Sequence, residues 1–170
     1  MMQKLLLTDF DEMYSIMEKS FPPDEYRPYD EQKALVENEY YSVYVEKDET
    51  VKGFIAVWDF TEFLFVEHFA VNPDYRNQGI GAKLLKEIIS HFDKPLCLEV
   101  EPPEDEITKR RIGFYERNGF FLNEHPYVQP PISKGKNPVP LMVMSSGKLL
   151  SENEFNNVKN TLYKEVYKVV

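Results

Sequence analysis

The period of apolar positions changes several times along the chain, and each change marks an element. Phe63 to Val71, FLFVEHFAV, is an aromatic and β-branched run long enough for a buried strand. Asn72-Pro73-Asp74 ends it, because Pro73 has no N–H to give to a ladder. The period then becomes helical: Ile80, Leu84 and Ile88, with Leu85, Ile89 and Phe92, recur on one face. Upstream, Gln3 to Leu7 predicts a strand. Thr8 and Asp11 can cap a helix that runs to about Ser20, with Phe10, Tyr14 and Met17 on one face. Three prolines between Phe21 and Pro28 forbid a helix interior and predict a loop. A short helix over Asp30 to Asn38 follows. Tyr40 to Glu46 and Val51 to Asp59 flank a polar turn and read as a hairpin. Trp58, near the end of the second run, reads as a core anchor.

Downstream, Leu96 to Val100 predicts another strand. Glu101 to Glu106 is acidic, carries two prolines and leads into a helix N-terminus, whose dipole its acids suit. That helix covers Ile107 to Asn118 and is closed by Gly119. Phe120 to Asn123 and Pro140 to Ser145 predict strands, and His125 to Pro140, with five prolines, a long irregular loop. Ser151 to Tyr167 predicts a terminal helix through Phe155, Val158, Leu162 and Val166. The order of elements predicts an α/β (α+β) sandwich with a mostly antiparallel sheet. A domain over 1–145 with a helical extension over 146–170 packed on it is the expected organisation.

Composition narrows the function classes. A chain of 170 residues suffices for one domain that buries roughly 70% of its unfolded surface. Lys plus Arg number 20 against 29 for Asp plus Glu, a net charge of −9, which argues against a general nucleic-acid binder. It suits a cationic substrate such as an amine, and equally suits plain solubility. Cys97 is the sole cysteine, so no internal disulfide is available and a cytoplasmic setting is expected. Leu5-Leu6-Leu7 is too short for a signal peptide, and no apolar run approaches the roughly 20 residues of a membrane span. His68, His91 and His125 lack ligand spacing to one another, so no metal is expected. Cys97, inside a predicted strand with no histidine beside it, reads as packing rather than a nucleophile.

Between the central strand and helix lies Arg76-Asn77-Gln78-Gly79-Ile80-Gly81. Two glycines allow backbone conformations that a Cβ forbids and let the chain approach a ligand. The helix start leaves N–H groups unpaired and adds the positive end of the macrodipole, which suits a phosphate or pyrophosphate. The glycine spacing and Lys-Ser/Thr pair of a P-loop are absent, and Leu84 stands where the dinucleotide fingerprint needs its third glycine.

Arg-x-x-Gly-x-Gly, directly after a strand ending Ala70-Val71-Asn72-Pro73, resembles the acetyl-CoA loop of the GNAT N-acetyltransferase superfamily. Ile112-Gly113-Phe114-Tyr115-Glu116-Arg117-Asn118-Gly119-Phe120 resembles that family's second motif, written around A-x-x-x-Y-x-x-x-G-F. The order of elements matches the GNAT order from about Gln3 to Ser145, with the terminal helix as an addition. The resemblance implies that backbone groups of Phe69, Ala70 and Val71 meet the pantetheine arm, on a strand that splays from the next. It implies that Arg76, Asn77, Gln78, Gly79, Ile80, Gly81 and Ala82 surround the pyrophosphate, and that Tyr115 protonates the departing CoA sulfur. A phenol with a pKa near 10 suits that task. Thr108 stands where the family often has a cofactor-binding Asn, and its preceding loop is longer.

Amine deprotonation needs a base, and two glutamates are candidates. Glu67 interrupts an apolar strand, where alternation places it with Phe65, Phe69 and Val71 and desolvation is expected to raise its pKa. Glu99, in Leu98-Glu99-Val100, has the same character, and a similar Leu-Glu-Val carries the base in some ribosomal-protein acetyltransferases of the superfamily. Glu67 is placed slightly ahead. Tyr26, Arg27, Tyr29, Tyr127 and Gln129 are the handles for an acceptor in the two proline-rich loops. The expected activity is direct acetyl transfer from acetyl-CoA to a primary amine on a small molecule or peptide. A non-catalytic acyl-CoA-binding module and a nucleotide-phosphate binder are the alternatives. The terminal helix can either dimerise or pack back on the sheet.

Overall fold

The computed structural model describes residues 1–169. In chain order the elements are β1 (Gln3–Lys4), α1 (Phe10–Ser20), α2 (Tyr29–Leu35), β2 (Tyr41–Lys47), β3 (Val51–Asp59), β4 (Leu64–Val71), α3 (Ile80–Phe92) and β5 (Leu96–Val100). Then come α4 (Glu106–Arg117), β6 (Phe120–Asn123), β7 (Val128–Gln129), β8 (Val139–Pro140), β9 (Met142–Ser146) and α5 (Glu152–Thr161), the last continued by a π-helical turn, Leu162–Val166. The fold is mixed α/β, with a mostly antiparallel seven-stranded sheet and flanking helices. Two compact units divide the chain, Met1–Leu96 and Cys97–Val170. Helix α5 belongs to the second unit.

In the first unit β1 pairs with β2, β2 with β3 and β3 with β4, all antiparallel. β1 is shorter than expected because Leu7–Asp9 already turns as a 3-10 helix into α1. Neither predicted cap, Thr8 nor Asp11, holds the N-cap position of α1. Asp9 holds the N-cap position without a side-chain cap bond, and its carboxylate meets Lys47 at 2.6 Å. Asp11 accepts from the Tyr29 hydroxyl. The core of this unit gathers Phe10, Met13, Met17, Phe54, Trp58, Phe65, Leu84 and Ile88, all essentially buried.

Strand β4 is not regular. Its register slips between Ala56 and Val57: His68 faces Ala56 while Val66 faces Val57, so Glu67 is the extra residue of a β-bulge. The slip overturns the face expected from alternation. Phe65 pairs with Trp58 and His68 with Ala56 on one face; Phe69 pairs with Ile55 and Val71 with Gly53 on the other. Phe65 therefore does not share a face with Phe69 and Val71.

In the second unit β9 lies between β5 and β6, antiparallel to both, with Glu99 and Asn123 each opposite Val143. The loop predicted from 125 to 140 contains a two-residue ladder, Val128 opposite Pro140 and Gln129 opposite Val139. Asn123 is a buried knot: its amide donates to the Val143 carbonyl at 3.1 Å and Ser145 Oγ at 2.9 Å, and its oxygen accepts from Leu150 N–H at 2.7 Å. This fixes the approach to α5, which Ser151 and Glu154 start with a reciprocal capping box. His125 stacks on Phe155 at 4.7 Å.

Gly53 sets how closely α3 lies on β3. A Cβ there would stand 3.2 Å from the Ala70 carbonyl oxygen and 3.3 Å from Ile80 Cγ2 and Leu84 Cδ1. Gly53→Val is expected to destabilise the protein by about 1–3 kcal/mol through overpacking, read as a lower urea midpoint. An unchanged midpoint would show that α3 can back away without cost.

Candidate active site

The loop between β4 and α3 leaves its amides turned outward. Asn72 closes β4, its side chain accepting from Asp74 N–H at 3.0 Å, and Pro73–Tyr75 makes one 3-10 turn. Asn77 and Gly79 then take positive φ, 65° and 76°. Gly79 is the N-cap of α3, with no side-chain cap hydrogen bond and no acidic residue in the first turn. Within α3 the first backbone bond runs from Lys83 N–H to the Gly79 carbonyl, which leaves the preceding amides for another acceptor. A Cβ built on Gly79 has no described atom within 4 Å. Arg76, Asn77, Gln78 and Gly79 are exposed, and Gly81 and Ala82 half-buried. Unpaired N–H groups, a helix dipole and the Arg76 cation converge on one exposed loop, which suits an anion such as a pyrophosphate. Phe69, Ala70 and Val71 lead into it, half-buried and paired with β3.

Glu67 has a different setting from the one expected. The bulge turns its carboxylate into a buried network. Its Oε2 meets Arg27 Nη2 at 2.8 Å, with the two side chains 2% and 7% exposed, and its Oε1 accepts from Trp58 Nε1 at 2.8 Å. Arg27 also donates to Gln32 at 3.3 Å, and Gln32 donates to the Tyr41 hydroxyl at 2.8 Å. Tyr14 donates to the Arg27 carbonyl at 2.7 Å. His68 Nε2 meets the Glu25 carbonyl at 2.6 Å, and Phe21 packs edge-on against its ring. Burial alone would push the Glu67 carboxyl up. The Arg27 charge, the His68 ring and the Trp58 and Arg27 hydrogen bonds outweigh it and hold the carboxyl below its ordinary range. The expected upward shift is thus reversed, because Arg27 supplies a counter-charge that sequence spacing does not reveal. Of the acceptor handles in this loop, Arg27 is spent on Glu67, Tyr26 packs edge-on against Tyr14, and Tyr29 lies at the surface.

The second unit holds the other named groups. Glu99, on β5, accepts from Tyr127 at 2.5 Å and from Tyr167 at 2.6 and 2.8 Å. Tyr167 is not marked by sequence, because it lies at the end of the helical stripe from Phe155 to Val166 and its polar contact is 68 residues away. Tyr127 and Gln129 are buried. Tyr115, on α4, is buried against Phe114 and Phe120. Burial raises its pKa, partly offset by Arg111, so the phenol keeps its proton at neutral pH. Thr108 serves α4 itself. Its hydroxyl accepts from the Glu104 and Asp105 amides at 3.1 Å each, in a capping box with Asp105. Cys97 is buried, and burial pushes its thiol up to about 12. Among the described residues no cluster of three His, Cys, Asp or Glu could hold a metal, and no helix is long and apolar enough to cross a membrane.

Residues 8–120 match the Acetyltransferase (GNAT) family. The chain belongs to the GNAT acetyltransferase family. YjbC of Bacillus subtilis (strain 168), named as an acetyltransferase, is 34% identical over 109 residues, 63% of this chain and 55% of its own. The match thus spans about half the length of that curated relative. A GNAT-family structure from Bacteroides thetaiotaomicron superposes with a TM-score of 0.91 at 36% identity, covering 100% of this chain and 99% of its own. The ribosomal-protein-S18-alanine N-acetyltransferase of Escherichia coli shares the fold, with a TM-score of 0.67 at 22% identity over 90% of this chain and 97% of its own.

Two outcomes follow from the Glu67 network. Glu67→Gln removes one partner of a buried ion pair and is expected to cost about 3–5 kcal/mol, read by urea unfolding. A loss below 1 kcal/mol would mean that water reaches Arg27. Stability should also fall on acidification. The folded Glu67 carboxyl titrates below its ordinary 4.5, so its contribution is present above that value and is lost as pH falls through the depressed value. Burial, the largest influence on His68, lowers its pKa from 6.5, so the unfolded chain takes up a proton there first and stability declines below about 6.5. Unfolding midpoints should drop below about pH 6.5, from His68, and again below about 4.5, from Glu67; a flat profile from pH 7 to about 2 would contradict both shifts.

Proposed function

We propose that this GNAT-family chain is an acetyl-CoA-dependent N-acetyltransferase that acetylates a primary amine by direct attack on the thioester. The uncapped start of α3, with positive φ at Asn77 and Gly79, is the observation that carries the reading. Its amides, from Gly79 to Ala82, and Arg76 would hold the pyrophosphate. Edges of Phe69, Ala70 and Val71 would meet the pantetheine arm. The net charge of −9 suits an acceptor that arrives as an ammonium. A single buried cysteine suits a reducing cytoplasm.

The proton acceptor is assigned to Glu99 in place of Glu67. A carboxylate already ion-paired, 2% exposed and held below its ordinary range is a poor acceptor and a good structural anchor. Glu99 instead accepts hydrogen bonds from two phenols, Tyr127 and Tyr167. In the reaction an ammonium gives one proton to Glu99 and the free amine attacks the thioester carbon. The C–S bond then breaks, Tyr115 gives its proton to the leaving thiolate, and the second proton that the nitrogen sheds as the amide forms restores the Tyr115 phenol. Burial raises the Tyr115 pKa, so the phenol is protonated at neutral pH and has a proton to give. Thr108 is left out of the cofactor contacts, since its hydroxyl serves α4.

The test is CoA thiol release from acetyl-CoA with a panel of small amines, polyamines and peptides. Turnover with at least one amine is expected, with Tyr115→Phe lowering kcat by about 10²-fold or more and Arg76→Ala raising the KM for acetyl-CoA. Acetyl-CoA binding by calorimetry with no thiol release from any amine would favour the non-catalytic module. Absence of binding at millimolar acetyl-CoA would remove the reading.

A further inference from the structure

Three tyrosines from the C-terminal half converge near Glu99. Tyr127 comes from the proline-rich loop before β7, and Tyr167 from the turn after the π-helical segment. Both are buried, 6% and 5% exposed, and both donate to the carboxylate. Tyr167 reaches both oxygens, at 2.6 and 2.8 Å, across 68 residues of sequence. Tyr163, one helical turn earlier, donates to the Val128 carbonyl at 2.5 Å and feels the Glu99 charge. The π-helical turn Leu162–Val166 widens the helix just before Tyr167, and Tyr167 N–H bonds the Leu162 carbonyl at 3.1 Å. A π turn places following side chains differently from an α turn, so the irregularity bears on where the Tyr167 phenol goes. Such turns recur at functional positions.

Packing alone does not explain these contacts. A phenylalanine at either position would fill the same volume without a buried hydroxyl to satisfy. Hydrogen bonds to an ionised carboxylate are among the stronger ones, and two donors fix its plane as well as its position.

We infer that Tyr167, with Tyr127, is a positioning residue that clasps the Glu99 carboxylate and makes the C-terminal segment a working part of the catalytic machinery. The inference rests on the reading of Glu99 as proton acceptor. Within the second unit the titratable groups facing Glu99 include Tyr127, Tyr163 and Tyr167. Removing one phenol hydroxyl removes a donor that favours the ionised carboxylate, so Glu99 should then protonate at higher pH.

The experiment compares wild type, Tyr167→Phe, Tyr127→Phe and Glu99→Gln in the full chain. Carbon-13 NMR of glutamate side-chain carboxyls, with the Glu99 signal identified by its loss in Glu99→Gln, reads the titration without any substrate. Tyr167→Phe should move the Glu99 midpoint up by about one pH unit. The acid limb of kcat/KM should move by a similar amount and kcat should fall about tenfold, with the KM for acetyl-CoA and the thermal midpoint little changed. A Glu99 midpoint unmoved in both tyrosine variants overturns the clasp, whatever the enzyme does with amines. A moved midpoint with unchanged turnover in Glu99→Gln leaves the clasp in place as geometry but removes its catalytic role, and with it the assignment of Glu99 as acceptor.

Discussion

The first turn of an α-helix has amides that the helix itself cannot pair, and the architecture of the first unit presents such a turn bare. Asn72 and Pro73 stop β4, two residues with positive φ reverse the chain, and α3 starts with neither a capping side chain nor an acid. α1 and α2 also lack a side-chain cap bond but carry acids in their first turns, and the two later helices are fully capped. α4 begins with the Asp105–Thr108 box and α5 with the Ser151–Glu154 box. The contrast has physical content. A cap is worth about 1 kcal/mol, and α3 goes without one where a bound anion would take its place. Gly53 lets α3 sit close on β3 and thereby fixes where those amides lie.

The two strand glutamates show how environment separates chemically identical groups. Both interrupt apolar runs, and both were candidates for the same proton. A bulge and an arginine from a proline-rich loop turn Glu67 into a buried anchor for the segment before α2. Glu99 sits in a regular ladder opposite Val143 and collects hydroxyl donors from Tyr127 and Tyr167. An ion pair holds a carboxylate ionised and occupied. Phenols donate to a carboxylate and orient it through hydrogen bonds.

The C-terminal segment is integral to the second unit. The Asn123 knot, the stacking of His125 on Phe155 and the contacts of Tyr163 and Tyr167 tie it to β6, β7 and β5. Such a segment is more than an extension added to a finished domain.

Local chemistry made much of this legible from the sequence alone. Three element ranges follow directly from apolar period and punctuation: Val51–Asp59, Ile80–Phe92 and Leu96–Val100. The Arg76–Gly81 loop and the Tyr115 motif are contiguous, so the family resemblance was visible within short windows. What tertiary structure decided involves partners distant in sequence. A register slip in β4 depends on β3, and strict alternation cannot foresee it. The pairing of Glu67 with Arg27 spans 40 residues, and that of Glu99 with Tyr167 spans 68. The pKa of a buried group depends on the charges brought to it, which a linear pattern does not encode. Residue type and spacing thus set the elements and the loop after β4, while long-range contacts decided that Glu67 is anchored by an ion pair and that Glu99 is held by phenols.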